Sequence, residues 1–160
     1  MTVEELLEIE QIRTLRNAYS ACIDSKDVAG LADLFCDDAI CEFPERFGGR
    51  CVGREAIVSN LAERMDAGGE PLDAVHVVTN PWITLTGPDT AQGRCYLIDL
   101  LDRQRTGTAR PTTRGGDNNN PLLSLGMYED DYRKIDGAWK FASIRLPYFW
   151  ADATPGKSGS

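Results

Sequence analysis

The sequence predicts an α+β fold in which helices come first and a run of antiparallel strands follows. In the first 65 residues, apolar side chains recur at intervals of three and four, the period of amphipathic helices. In the second half the pattern changes to alternating strands separated by turn signals, of which Asp136-Gly137 is the strongest. Helices followed by such strands favour a curved sheet with helices packed on one face, an arrangement that encloses a small-molecule pocket.

Three helices are predicted, over residues 3–25, 28–35 and 54–65. Thr2 followed by Glu5 is a capping-box pattern that would begin the first helix. Asp27 has the character of an N-cap and would begin the second. The first 65 residues should therefore supply most of the helical layer.

The strands are predicted over residues 39–43, 73–79, 82–86, 90–101, 122–135 and 138–147, with a short glycine-rich hairpin after the first. Residues 103–121 lack periodicity and are predicted to form a long mobile loop, with a lid over the pocket mouth as the alternative. We expect residues 1–150 to form one domain and residues 151–160 to be a disordered tail.

Composition narrows the possible functions. The chain of 160 residues carries a net charge of −8 and no dense basic cluster, which argues against nucleic-acid binding. The acidic, helical N-terminus does not resemble a signal peptide, and no apolar run reaches the ~20 residues that span a bilayer. Five cysteines without CxxC spacing are expected to be reduced. We expect a cytoplasmic protein that does not bind membranes.

One histidine and one aspartate are the first candidates for chemistry. His76 is the only histidine, and strand alternation places it on the face of Ala74 and Val78. Asp24 lies in the last turn of the first helix, where the negative end of the helix dipole disfavours a carboxylate. A carboxylate that accepts a hydrogen bond from imidazole would make His76 a general base at neutral pH, whereas the simpler alternatives are a core histidine and a solvated helix end.

Three further polar residues are candidates. Tyr19 could donate a hydrogen bond to an oxyanion or could be an ordinary core aromatic. Asp99 lies within an apolar strand, and Arg145, predicted to share a face with Phe141 and Ser143, could orient an acidic substrate. A structural ion pair between Asp99 and Arg145 is the alternative.

The segment 127–132 alternates two sets of side chains, and one set must face solvent. The set of Tyr128, Asp130 and Tyr132 alternates with the set of Met127, Glu129 and Asp131, and the segment carries three acidic groups. This crowding predicts a sheet surface or a subunit contact.

Several segments, taken in order, resemble the SnoaL-like branch of the NTF2-like superfamily, the branch of scytalone dehydratase and bile-acid 7α-dehydratase. They are AYSACID, DLFCDDAICEF, GREAI, HVVTNPWITLTGPDTAQGRCYL, GMYEDDYRKIDGAWKF and IRL. The resemblance covers residues 9–150. It implies a cone-shaped α+β barrel with a deep pocket, assembled as a homodimer or homotrimer.

The resemblance also implies roles for the candidate residues. Asp24 and His76 match the Asp-His base of the dehydratases, Tyr19 matches a tyrosine that precedes the aspartate, and Asp99 and Arg145 match further polar groups that bind substrate. The expected function is a lyase that eliminates water from a hydrophobic polycyclic or aromatic substrate. An isomerase or cyclase, or a non-catalytic binding or assembly subunit, is the alternative. One histidine without clustered carboxylates is a poor match to a metal site, so no metal or cofactor is expected.

Overall fold

The computed structural model describes residues 1–67, 74–101 and 122–150, and these form the predicted α+β fold. The elements, in chain order, are α1 (Val3–Ser25), α2 (Val28–Ala32), β1 (Phe35–Glu42), a 3₁₀ turn (Glu45–Phe47), β2 (Arg50–Val52), α3 (Arg54–Ala67), β3 (Ala74–Gly87), β4 (Thr90–Leu101), β5 (Leu122–Ile135), β6 (Ala138–Arg145) and β7 (Tyr148–Trp150). The predicted loop over 103–121 and the predicted tail over 151–160 lie outside the described residues.

The strands form one mixed, open sheet. Its order is β2-β1-β6-β5-β4-β3, with β7 paired to β5. All pairings are antiparallel except that of β1 with β6. Helix α1 packs on β3 and β6, and α3 packs on β1 and β2. The helices therefore cover one face of the sheet, while β3 forms an edge of it.

The helix boundaries follow from local capping. The Thr2 hydroxyl accepts a hydrogen bond from the Glu5 amide at 3.1 Å, and the Glu5 carboxylate accepts one from the Thr2 amide at 2.7 Å, which confirms the capping box. Helix α1 ends at Lys26, whose φ of 60° is left-handed. Asp27 caps α2 by accepting from the Gly30 amide at 2.9 Å. Helix α2 is shorter than predicted because Phe35, fully buried, pairs with β6 and begins β1 instead.

One long strand replaces the two that were predicted over 73–79 and 82–86. Strand β3 continues through Asn80-Pro81, where a register shift lies between Thr79 and Trp82 and Asn80 has a φ of 53°. A proline is tolerated there because an edge strand does not need every amide for pairing. The strand bends at this point without ending.

A buried ion pair joins α1 to the middle of the sheet. Arg16 donates from Nε at 3.1 Å and from Nη2 at 2.6 Å to the two carboxylate oxygens of Asp130 on β5, and both residues are at most 4% exposed. Tyr132 donates to the same carboxylate at 2.7 Å. The guanidinium also lies over the rings of Tyr128 and Phe141, at 4.0 and 4.4 Å from their centroids.

The structure shows which of the two sets over 127–132 faces solvent. Tyr128, Asp130 and Tyr132 are the buried set, and Asp131 on the opposite face is exposed. Burial raises the pKa of Asp130, and Arg16 opposes that rise. The acidic set can lie in the core because a cation from α1 compensates Asp130.

Asp130→Ala should cost about 3–5 kcal/mol of unfolding free energy, because it leaves the Arg16 charge buried without a partner. Asp131→Ala, which removes an exposed carboxylate from the neighbouring position of β5, should cost about 1 kcal/mol or less. Arg16→Met combined with Asp130→Leu should recover most of the loss. Urea denaturation measures all three, and equal losses for the two alanine variants would contradict this account.

Candidate functional site

Asp24 and His76 are in direct contact at the edge of the sheet. His76 Nδ1 lies 2.6 Å from Asp24 Oδ1, and the His76 backbone amide donates to both carboxylate oxygens at 3.1 and 3.2 Å. The Asp24 side chain is 12% exposed and the His76 side chain is 22% exposed. An ionised carboxylate is only an acceptor, so Nδ1 donates in this contact, and in a neutral ring the lone pair is then on Nε2.

The position of Asp24 follows from the two elements that meet there. It lies in the last turn of α1, where the helix dipole disfavours a negative charge. Three N–H contacts from His76 offset that cost. They are possible because β3 is an edge strand, so an amide that points away from β4 is free to bond to the helix end.

Asp99 lies on the other side of the imidazole. It is the direct cross-strand partner of His76 on β4, so both side chains project from the same face. Asp99 Oδ1 is 3.6 Å from His76 Nε2, and Asp99 Oδ2 accepts a hydrogen bond from the Tyr148 hydroxyl at 2.6 Å. Oδ1 is buried and makes no protein hydrogen bond among the described residues. A donor on a bound molecule would satisfy that oxygen.

Tyr19 lies in the aromatic core next to this site. Its ring packs edge-on against Phe35, Tyr128 and Phe141, with centroids 5.7–6.1 Å apart. Burial raises the pKa of its phenol, so the hydroxyl keeps its proton. Five helical residues place Tyr19 and Asp24 about 140° apart around α1, so Tyr19 faces the core while Asp24 faces β3.

The structure does not bring Arg145 to the site. Arg145 is exposed and forms an ion pair with Glu129 on the outer face of the sheet. The register between β5 and β6 shifts between Phe141 and Ser143, so that Phe141 enters the core while Arg145 points outward. The sequence-based grouping assumed uninterrupted alternation along this strand, and the bulge breaks it.

Two residues near the site were not predicted from the sequence. Tyr148, the partner of Asp99, lies on the short strand β7, and no local signal marks it. Arg64 lies on α3 with its Cζ atom 4.3 Å from the centroid of Phe47, whose ring is 5.6 Å from that of Tyr148. Arg64 follows Ile57 by seven residues, so it belongs to the inward stripe of α3 and could have been found from periodicity.

The environment of Arg64 connects it to the rest of the site. Burial lowers the pKa of Arg64, and the nearby ionisable groups of Tyr19, Tyr148 and Asp99 act in the opposite direction. Arg64 therefore lies close enough to all three to interact with them electrostatically. The site combines an aspartate-bound histidine, a second carboxylate and a half-buried cation.

Residues 1–67, 74–101 and 122–150 contain neither a metal-binding cluster nor a membrane-spanning helix. These residues contain no cluster of three or more His, Cys, Asp or Glu side chains that could hold a metal ion. None of their helices is long and apolar enough to cross a membrane.

Solved structures with the same fold come from several bacteria. A variant of the Mycobacterium tuberculosis protein Rv3472, whose function is unknown, is 26% identical with a TM-score of 0.71, over 95% of this chain and 78% of that one. A Novosphingobium aromaticivorans protein provisionally named a scytalone dehydratase is 23% identical with a TM-score of 0.73, over 94% and 89%. The LinA-type3 hexachlorocyclohexane dehydrochlorinase of Novosphingobium barchaimii is 19% identical with a TM-score of 0.72, over 92% and 90%.

Sequence comparison defines the family. No curated protein matches the chain. The family model of the SnoaL-like domain matches residues 4–145, nearly the whole chain. Together with the fold, this match confirms the resemblance drawn from the sequence segments, and the chain belongs to the SnoaL-like domain family.

Proposed function

We propose that this protein is a small-molecule lyase of the dehydratase type, with His76 as general base and Asp24 as the group that orients it. The observation that carries the proposal is the 2.6 Å contact between His76 Nδ1 and Asp24 Oδ1. The contact leaves Nε2 as the basic atom of the neutral ring, and the His76 side chain is partly exposed. The fold shared with dehydratase-like proteins supports the same reaction class.

The proposed reaction is the elimination of water next to a carbonyl or similar activating group. His76 Nε2 removes a proton from carbon, and the Asp24 carboxylate stabilises the imidazolium that forms. The carbon–oxygen bond of the adjacent alcohol then breaks as the new carbon–carbon double bond forms. The imidazolium returns its proton to the departing hydroxyl, which leaves as water and restores the neutral base.

Asp99 and Tyr19 have supporting roles in this proposal. Asp99 Oδ1, which has no hydrogen-bond partner among the described residues, accepts a hydrogen bond from the substrate hydroxyl and holds it beside Nε2, while Tyr148 fixes the other oxygen. Tyr19 retains its proton because burial raises the pKa of its phenol, so it can donate to the substrate oxyanion only where the substrate carbonyl reaches into the core beside its ring. The neighbouring aromatic rings suit a hydrophobic polycyclic or aromatic substrate.

An isomerase or cyclase is the second candidate, and Asp99 is the observation that favours it. A second carboxylate 3.6 Å from Nε2 could carry a proton to a different carbon atom of the same substrate. The product would then have the mass of the substrate, whereas elimination releases water.

Asp24→Ala should change the tautomer of His76. In the wild-type protein at a pH where the ring is neutral, ¹⁵N chemical shifts should report protonation at Nδ1, because Asp24 accepts from that atom. The variant should shift the ring towards protonation at Nε2, and Asp99→Ala should keep the proton on Nδ1. His76 is the only histidine in the sequence, so its signals need no assignment by mutation. An unchanged tautomer in Asp24→Ala would reject the orienting role.

His76→Ala and Asp24→Asn should each reduce turnover by about 10²- to 10⁴-fold, the usual contribution of a general base. Asp33→Asn, which neutralises an exposed carboxylate at the end of α2, serves as the matched control and should retain full activity. Hydroxylated steroids and polyketide-like aromatics are the compounds to screen, with loss of water followed by mass spectrometry.

The same screen separates the alternatives. A product that has the mass of the substrate but a double bond at a different position would favour the isomerase. Binding of these compounds without turnover, and without deuterium exchange from solvent into the ligand, would contradict catalysis and favour a binding subunit. Full activity of either dyad variant would exclude the proposed base.

A further inference from the structure

Arg64 differs in its partners from most of the arginines that the structure describes. Among the arginine side chains that the structure describes, six form ion pairs with carboxylates: Arg13–Glu10, Arg16–Asp130, Arg50–Glu42, Arg54–Asp37, Arg133–Asp38 and Arg145–Glu129. Arg64 and Arg94 instead lie over aromatic rings, those of Phe47 and Trp82. Arg94 is exposed on the outer side of the sheet, whereas Arg64 is half-buried on the side that α3 covers.

A short series of contacts links Arg64 to the proposed base. Its guanidinium lies 4.3 Å from the centroid of Phe47, and the Phe47 ring is 5.6 Å from the ring of Tyr148. Tyr148 donates to Asp99 at 2.6 Å, and Asp99 flanks His76 at 3.6 Å. Two aromatic rings and Asp99 therefore connect the cation to the base.

The electrostatics of this position favour an anionic ligand. Removing a charge from water costs free energy unless an opposite charge compensates it, and a cation–π contact returns only part of that cost. In the described part of the chain no carboxylate lies within ion-pair distance of Arg64, although acidic residues outnumber basic ones by 25 to 17. The net charge of −8 repels anions in general, so a site for one needs a local cation.

We propose that Arg64 binds a carboxylate on the substrate, so that the molecule converted at this site is an aromatic or polycyclic acid and not a neutral compound. This inference rests on the proposed function, because it places the substrate beside His76. The planar guanidinium can hold a carboxylate through two parallel hydrogen bonds. The carboxylate would then lie on the Phe47 side of Tyr148 while the reacting carbon lies between His76 and Asp99.

The test compares an acid with its neutral analogue. In fluorescence titrations, wild-type protein should bind 2-naphthoate about tenfold more tightly than 2-naphthamide, a difference of about 1.4 kcal/mol. Arg64→Gln should abolish that preference by weakening only the acid. Arg54→Gln, with the same change of charge on the same helix but in an exposed ion pair with Asp37, should keep it. Arg64→Lys should retain part of the preference, because it keeps the charge without the planar fork.

The outcome is independent of whether the base is catalytic. His76→Ala should retain the preference for 2-naphthoate even where turnover is lost, so the binding result and the activity result can fail separately. Equal affinities of wild-type protein for the two probes would overturn the proposal, and so would a preference that survives in Arg64→Gln. Circular dichroism tests whether each variant is folded. If Arg64→Gln is unfolded, Arg64→Lys takes its place, and a preference for 2-naphthoate as large as in the wild-type protein then overturns the proposal.

Discussion

The buried pair between Arg16 and Asp130 fixes where α1 lies on the sheet, and the rest of the site depends on that placement. Two further contacts hold the same helix. Near its start, Glu8 accepts hydrogen bonds from Lys134 on β5 at 2.7 Å and from Trp139 on β6 at 2.6 Å. In its last turn, Asp24 contacts β3. These three anchors are eight residues, or about 12 Å, apart along the helix, so α1 crosses the sheet from its middle strands to its edge.

This crossing explains why a carboxylate is stable at the end of the helix and why a histidine on the edge strand can meet it. A helix end alone would leave Asp24 solvated, and an edge strand alone would leave its outward amides to water. The helix end and the edge strand satisfy each other, because His76 donates to the Asp24 carboxylate from both its backbone amide and its ring. The same arrangement leaves Nε2 directed towards Asp99, so the imidazole ring lies between two carboxylates.

Local sequence signals predicted the local features well. The capping box, the end of α1 and the cap at Asp27 needed only neighbouring residues, and the α+β class followed from the change of period. The features that sequence could not provide depend on distant partners or on irregular backbone. Asp130 can be buried because Arg16, its partner 114 residues earlier in the sequence, compensates its charge. Arg145 faces outward because β6 contains a bulge.

The site was predictable only in part. The pairing of Asp24 with His76 came from the resemblance together with their places at a helix end and on a strand, and Tyr148 gave no signal because its strand has only three residues. Arg64 was within reach, because it continues the apolar stripe of α3. The predicted homodimer or homotrimer stays a prediction.

The central claim is that Asp24 and His76 act as one unit in catalysis, and a double-mutant cycle tests it most directly. Rates are measured with one identified substrate for the wild-type protein, Asp24→Asn, His76→Ala and the double variant. If Asp24 acts only through His76, the double variant should be no slower than His76→Ala alone. Losses that multiply in the double variant would show two independent contributions and would contradict the account.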